Sequence, residues 1–135
     1  MNELLRRKEA VEKTLAKYRD KPFDWRRGQT CLHMLRFHLR LMGHAPEPLP
    51  RVRSAIGARR ALNLRGWQDV GDMLDAMLPR IAPAAMLLGD VASFRSDDGF
   101  GAITINLGGK VMGWHEDAPG MTALEPVEIA GAWRV

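Results

Sequence analysis

The sequence predicts an α+β fold in which N-terminal helices pack on one face of a small antiparallel β-sheet. Three observations lead there. Apolar residues recur at helical spacing through roughly the first 80 residues, the later chain consists of short apolar runs cut by glycine turns, and Pro79 and Pro83 mark the change of texture. With 135 residues and 46% hydrophobic content, the chain is long enough for one core and too short for two. Residues 1–135 therefore read as a single domain, mainly helical over 1–80 and mainly strands over 84–135.

The elements follow in order. Residues 3–19 put Leu4, Val11, Leu15 and Tyr18 near one face and Arg6, Arg7, Lys8, Glu9, Glu12, Lys13 and Lys17 around the rest, an amphipathic helix that Pro22 closes. Phe23 and Trp25 are expected to pack beneath a second helix over 31–42, which Thr30 caps and Gly43 ends. Pro46, Pro48 and Pro50 keep the next segment out of helix, and Ser54 caps a third helix over 55–64. After Gly66, the set Val70, Met73, Leu74, Met77 and Leu78 predicts a fourth, its methionines serving as core filler. Strands at 91–94, 100–107 and 110–114, joined by turns at Asp97-Asp98-Gly99 and Gly108-Gly109, predict an antiparallel meander. The segment 124–135 adds a further short strand and docks Trp133 on the body.

Composition excludes several classes. The longest uncharged apolar stretch, 81–88, falls far short of the roughly 20 residues that cross a membrane. The first ten residues lack the apolar core of a secretion signal, so synthesis and folding in a bacterial cytoplasm are expected. A single cysteine forms no intrachain disulfide, which leaves packing to supply stability. The net charge of +4 conceals a polarity: residues 1–67 carry 16 Lys or Arg against 6 Asp or Glu, and residues 68–135 carry 4 against 10. Halves of opposite sign steer docking to a charged partner or to further copies of the chain. Arg51, Arg53, Arg59 and Arg60 cluster, but no aromatic residues are interleaved with them, which argues against a nucleic-acid surface.

The chemistry centres on the one thiol. Cys31 opens a helix, where unpaired backbone N–H groups and the upstream Arg26 and Arg27 favour a thiolate. Two readings stand: a nucleophile, or a small buried residue at a helix start. A nucleophile needs a base. His33 and His38 share the Cys31 helix at spacings that turn them from the thiol, and His44 lies about 20 Å along its axis. His115 remains as the candidate base for a Cys31–His115 dyad. No metal-ligand spacing links the four histidines with Cys31, and Gly108-Gly109 precedes no helix that would hold a phosphate, so no cofactor or metal is expected.

A cysteine at a helix N-terminus, followed by Gly89-Asp90-Val91 and a small antiparallel sheet, resembles the NlpC-type branch of the papain-like cysteine peptidases. Phe23-Asp24-Trp25, Cys31, Met42-Gly43-His44, Ala58-Arg59-Arg60-Ala61-Leu62, Gly89-Asp90-Val91, Pro119-Gly120 and Ala132-Trp133-Arg134-Val135 together resemble a family encoded among phage and prophage tail genes. The second resemblance spans nearly the whole chain. It implies a tail-tip or baseplate component of a phage or gene-transfer particle, located in the virion tail and partnered by other tail-tip proteins. The first implies a cysteine hydrolase acting on cell-wall peptides, or a module that binds peptidoglycan peptides without cleaving them. Departures from the peptidase pattern favour a degenerate, structural role: Ala102 falls where the resemblance places the general-base histidine, and Thr30 stands where an Asp often precedes the cysteine.

Overall fold

The computed structural model describes residues 2–49, 51–114 and 119–135. Four helices come first: α1 (Glu3–Tyr18), α2 (Cys31–Leu41), α3 (Ala55–Leu64) and α4 (Val70–Met77). Each starts on a side-chain cap, with Asn2, Thr30, Ser54 and Asp69 accepting from the backbone N–H groups of Leu5, His33, Gly57 and Asp72. Gly43 at φ +90 ends α2, a left-handed position suited to glycine.

Six strands then build one antiparallel sheet: β1 (Arg80–Ile81), β2 (Val91–Phe94), β3 (Ala102–Asn106), β4 (Val111–Trp114), β5 (Met121–Leu124) and β6 (Gly131–Trp133). Their order is β1-β6-β2-β3-β4-β5. The expected meander is present from β2 to β5, but β6 returns to pair with both β1 and β2. Neither β1 nor β5 was anticipated. The register Trp133↔Val91↔Ile105↔Met112 sets a row of buried apolar side chains facing the helices. Small residues Ala92, Thr104 and Ala132 occupy the other face. This is an α+β fold with helices on one face of an antiparallel sheet.

The buried face of α1 departs from the sequence pattern. Leu4 is 67% exposed, while Arg7 is only 3% exposed among Ala10, Val11, Thr14 and Tyr18. The reason is a charge partner from the far end of the chain: Arg7 Nη1 donates to Asp90 Oδ1 at 2.9 Å and to the Leu88 carbonyl at 3.0 Å. Its Nη2 donates to the Val135 carbonyl at 2.9 Å. The Asp90 carboxylate also accepts from Arg134 Nε, from the Val135 N–H and from the Leu87 N–H. Asp90 thus ties α1, the β2 entry and the last strand into one knot whose charges are hydrogen-bonded on every side.

Trp133 is fully buried and donates from Nε1 to Asp75 Oδ1 at 3.0 Å, so the last strand is docked as its sequence predicted. The Asp97-Asp98-Gly99 and Gly108-Gly109 turns also form where expected, the first closed by the Gly99 N–H on Ser96 and the second by the Leu107 N–H on Lys110. Of the fourth-helix set, Met73 and Leu74 enter the core, whereas Met77 stays 38% exposed at the edge of a groove.

Candidate functional site

The segment before α2 forms a tight loop in which Asp24 and Gln29 exchange backbone hydrogen bonds at 2.9 Å. Asp24 Oδ1 accepts from the Arg26 N–H, and Gly28 adopts φ +69 directly against the His33 ring. The loop delivers Thr30 to the N-cap position, fully buried, and Cys31 to the first residue of α2. Thr30 Oγ1 lies 2.7 Å from His33 Nδ1, so the cap and the first-turn histidine hold one another.

Cys31 is 7% exposed. Burial pushes its thiol up to about 11, although the backbone N–H groups of Ile103, Cys31 and Leu32 pull the other way and Asp98 adds to the rise. The helix-start effect anticipated from the sequence is therefore present and loses to desolvation. At neutral pH the protonated thiol is therefore the dominant form. Cys31 lines neither of the two cavities described below.

The strand facing the sulfur offers no base. The register Phe94↔Ala102, Ser93↔Ile103 and Val91↔Ile105 puts Ile103 and Ile105 on the helix side and turns Ala102 to the opposite face. The side chain that β3 presents toward α2 is consequently Ile103, one register position from the alanine that the sequence comparison indicated. Both are apolar. His33 is half-buried on Thr30, and its imidazole is pushed toward the neutral form by burial and, secondarily, by Lys17. His38 is fully buried, with Nε2 donating to the Gly89 carbonyl at 2.8 Å and Nδ1 3.0 Å from Thr14 Oγ1. Both histidines thus spend ring nitrogens on structure. His115, the expected base, lies outside the described residues.

A chain of aromatic rings borders this region, and the sequence reading missed it. Phe37, Tyr18, Trp114, Phe23, Trp25 and Phe100 meet edge to face, with successive centroids 5.8, 5.8, 5.9, 5.4 and 6.3 Å apart. Each contact is of the favoured T-shaped kind. Phe23 is 39% exposed and Trp25 half-buried, so the two rings bridge β4 and the entry to β3 instead of lying wholly beneath α2 as expected. The Phe-x-Trp spacing was the visible signal; the partners Trp114 and Phe100 come from strands too distant in sequence to be read.

Two cavities stand out among the described residues. An apolar groove of about 790 Å³ runs between α2, the proline-rich loop, α3 and α4, lined by Leu35, Leu39, Val52, Leu64, Trp67 and Met77 among others. A smaller one of about 370 Å³ lies at the start of α4, where Asp69 and Asp72 face Arg80 and Arg95. Among the described residues, no group of three or more His, Cys, Asp or Glu is placed to hold a metal ion. No described helix is long and apolar enough to cross a membrane.

The fold has solved counterparts. The NlpC/p60 domain of the peptidoglycan hydrolase SagA superimposes with a TM-score of 0.58 at 15% identity, covering 94% of this chain and 97% of that one. RipD from Mycobacterium tuberculosis, described as a non-catalytic NlpC/p60 domain protein adapted to peptidoglycan binding, gives 0.60 at 16% identity over 96% and 97%. The peptidoglycan hydrolase RipB from Mycobacterium tuberculosis gives 0.59 at 16% identity over 99% and 68%. At these identities the likeness establishes the NlpC/p60-type fold. Comparison with curated protein sequences yields no match. Residues 4–135 match the family described as a domain of unknown function, DUF6950, and the chain belongs to that family.

Proposed function

We propose that the protein is a structural component of a phage or gene-transfer-particle tail tip, built on an NlpC/p60-type fold that no longer performs cysteine hydrolysis. The observation that carries this reading is the state of Cys31: buried, with its thiol pushed up to about 11, and faced by Ile103. A nucleophile of that kind lacks the thiolate that acyl transfer requires. The rigid Asp90 knot suits a scaffold that must hold its shape within an assembly. The tail-tip assignment draws on the near full-length pattern from Phe23-Asp24-Trp25 to Ala132-Trp133-Arg134-Val135. Its partners would be other tail-tip or baseplate proteins, met during assembly in the host cytoplasm. Deleting the gene from the phage or prophage that encodes it, then imaging the particles, is the test. Malformed or missing tips are expected; normal tails from which the protein is absent would overturn the reading.

A second reading, a module that grips peptidoglycan peptides without cutting them, is favoured by the similarity to RipD, whose description is non-catalytic and peptidoglycan-binding. Sedimentation with purified sacculi separates the two. Retention without release of soluble fragments supports binding alone. Fragments that disappear in Cys31→Ser would instead revive the hydrolase.

A further inference from the structure

We propose that the smaller cavity, at the start of α4, binds a free α-amino acid with an apolar side chain. Ser93 of β2 lines it and is only 4% exposed. The register Ser93↔Ile103 sets this side chain on the helix side of the sheet, toward the first turn of α4. Among the described residues no protein group bonds its hydroxyl, which opens on the cavity instead of being sealed away. A hydroxyl so placed offers a donor and an acceptor to whatever fills the space. Two aspartates and two arginines stand around it, and their existing bonds decide what is left for a ligand. Asp69 Oδ1 accepts from the Asp72 N–H at 2.9 Å and Asp72 Oδ2 from the Gln68 N–H at 2.8 Å. Each carboxylate thus caps the start of α4 with one oxygen and keeps the other. Arg80 is spent: it grips Asp75 through Nε and Nη2 and lies over the Trp133 ring. Arg95 forms no ion pair with any described residue, although both aspartates line the same cavity. Opposite charges face one another across open space without meeting.

An occupant that completes these bonds needs an anionic group for Arg95 and the Ser93 hydroxyl, and a cationic donor for the remaining oxygens of Asp69 and Asp72. A bare anion would meet the two aspartates, and a bare cation would leave Arg95 unanswered. A zwitterion satisfies both. The volume of about 370 Å³ lies near the lower end of the range for small-molecule sites. Val70, Phe94 and Phe100 supply apolar lining, which selects an apolar side chain over a charged one. The α-carboxylate then rests on Arg95 and Ser93, the α-ammonium on Asp69 and Asp72, and the side chain against Phe94. Cys31 is no part of this cavity, so the site binds without using the thiol and stands whatever role the thiol has.

Leucine is the probe, titrated at neutral pH into isotopically labelled protein and followed through amide NMR shifts. Saturable shifts are expected at residues 69–72 and 93–96. N-acetylleucine lacks the cation and leucinamide lacks the anion, so each should bind about tenfold more weakly than leucine, as loss of a charged hydrogen bond implies. Glycine, without the apolar side chain, should also bind more weakly. Arg95→Gln alters an exposed side chain, so the fold should persist. It should weaken leucine by about tenfold and leave leucinamide unchanged. Ser93→Ala should weaken leucine and N-acetylleucine alike, with thermal melting to check its fold; if that variant does not fold, Arg95→Gln decides alone. Absence of saturation at the solubility limit of leucine overturns the inference. So does equal binding of leucine and either blocked form, or an Arg95→Gln protein that binds leucine as wild type does. Glycine binding as tightly as leucine would overturn the assignment of an apolar side chain.

Discussion

Asp90 and Cys31 are both buried functional groups at motif positions, yet the fold treats them in opposite ways. The Asp90 carboxylate sits in a shell of four donors, two of them arginine, drawn from α1, the β2 entry and the last strand. Among the described residues, the Cys31 sulfur has the backbone N–H groups of Ile103, Cys31 and Leu32 about it, and burial, with a smaller push from Asp98, raises the thiol up to about 11. Burial costs an ionised group heavily unless partners replace the water it loses. Among the described residues, the fold gives the carboxylate two guanidinium partners and the thiol backbone N–H groups alone. The Gly89-Asp90-Val91 motif, read as a mark of a peptidase-type sheet, therefore records architecture here, and it does not predict chemistry at the cysteine.

The sharpest way to break this contrast is to remove Asp90. Asp90→Ala leaves the buried Arg7 with only the exposed Glu3 carboxylate, on its Nε, and strips Arg134, Leu87 and Val135 of an acceptor. Loss of one member of a buried pair typically costs about 3–5 kcal/mol. That is a large share of a small domain's stability. Urea unfolding should show a midpoint drop of this size, or no folded protein at all. A loss of under about 1 kcal/mol, the range of exposed ion pairs, would mean that the knot is not what secures the two ends.

His38 gives a middle-sized effect that reads as a pH dependence. Burial holds its imidazole below the ordinary histidine range, with Arg7 and His44 acting in the same direction and the Gly89 carbonyl and Asp90 opposing. Because the folded value is depressed, the unfolded chain binds the proton first as pH falls. Stability is then fully present above about pH 6.5 and declines below it, at no more than about 1.4 kcal/mol per pH unit for this group. The lowered carboxyls of Glu3, Asp75 and Asp98 act only in a more acidic window. His38→Gln should be less stable at pH 7.5 and should lose stability more gently between pH 6.5 and 5. Parallel curves for the two proteins would show that the His38 contacts with Thr14 and Gly89 do not depend on its charge.

Much of this architecture is legible in the sequence because helix boundaries are local. Thr30 and Ser54 cap the helices they were expected to cap, and Gly43, Gly66 and Pro79 stand where three helices end. Strands β1 and β5 were not legible, since two to four residues carry no period of their own and are fixed by pairing with β6 and β4. Arg7 was hidden for a related reason. In sequence it is one more cation on a charged helix, and only a carboxylate 83 residues away explains its burial. The position of Cys31 at a helix start could be read, but its sealing by β3 depends on a strand some 70 residues downstream.

The smallest expected effect concerns Cys31 itself. If its thiol serves as packing, Cys31→Ala removes one sulfur from a buried site and should cost about 1 kcal/mol, near the low end for deletions in cores. Reactivity gives the cleaner reading. A thiol held up to about 11 presents very little thiolate at pH 8, so a disulfide reagent should label native protein orders of magnitude more slowly than urea-unfolded protein. Modification should then track transient opening of the domain, and a destabilised Asp90 variant should react faster than wild type. That last comparison joins the two sites: the carboxylate knot would set how often the sulfur meets solvent. Rapid labelling of fully folded wild-type protein at neutral pH would show an activated cysteine and undo the contrast between the two sites.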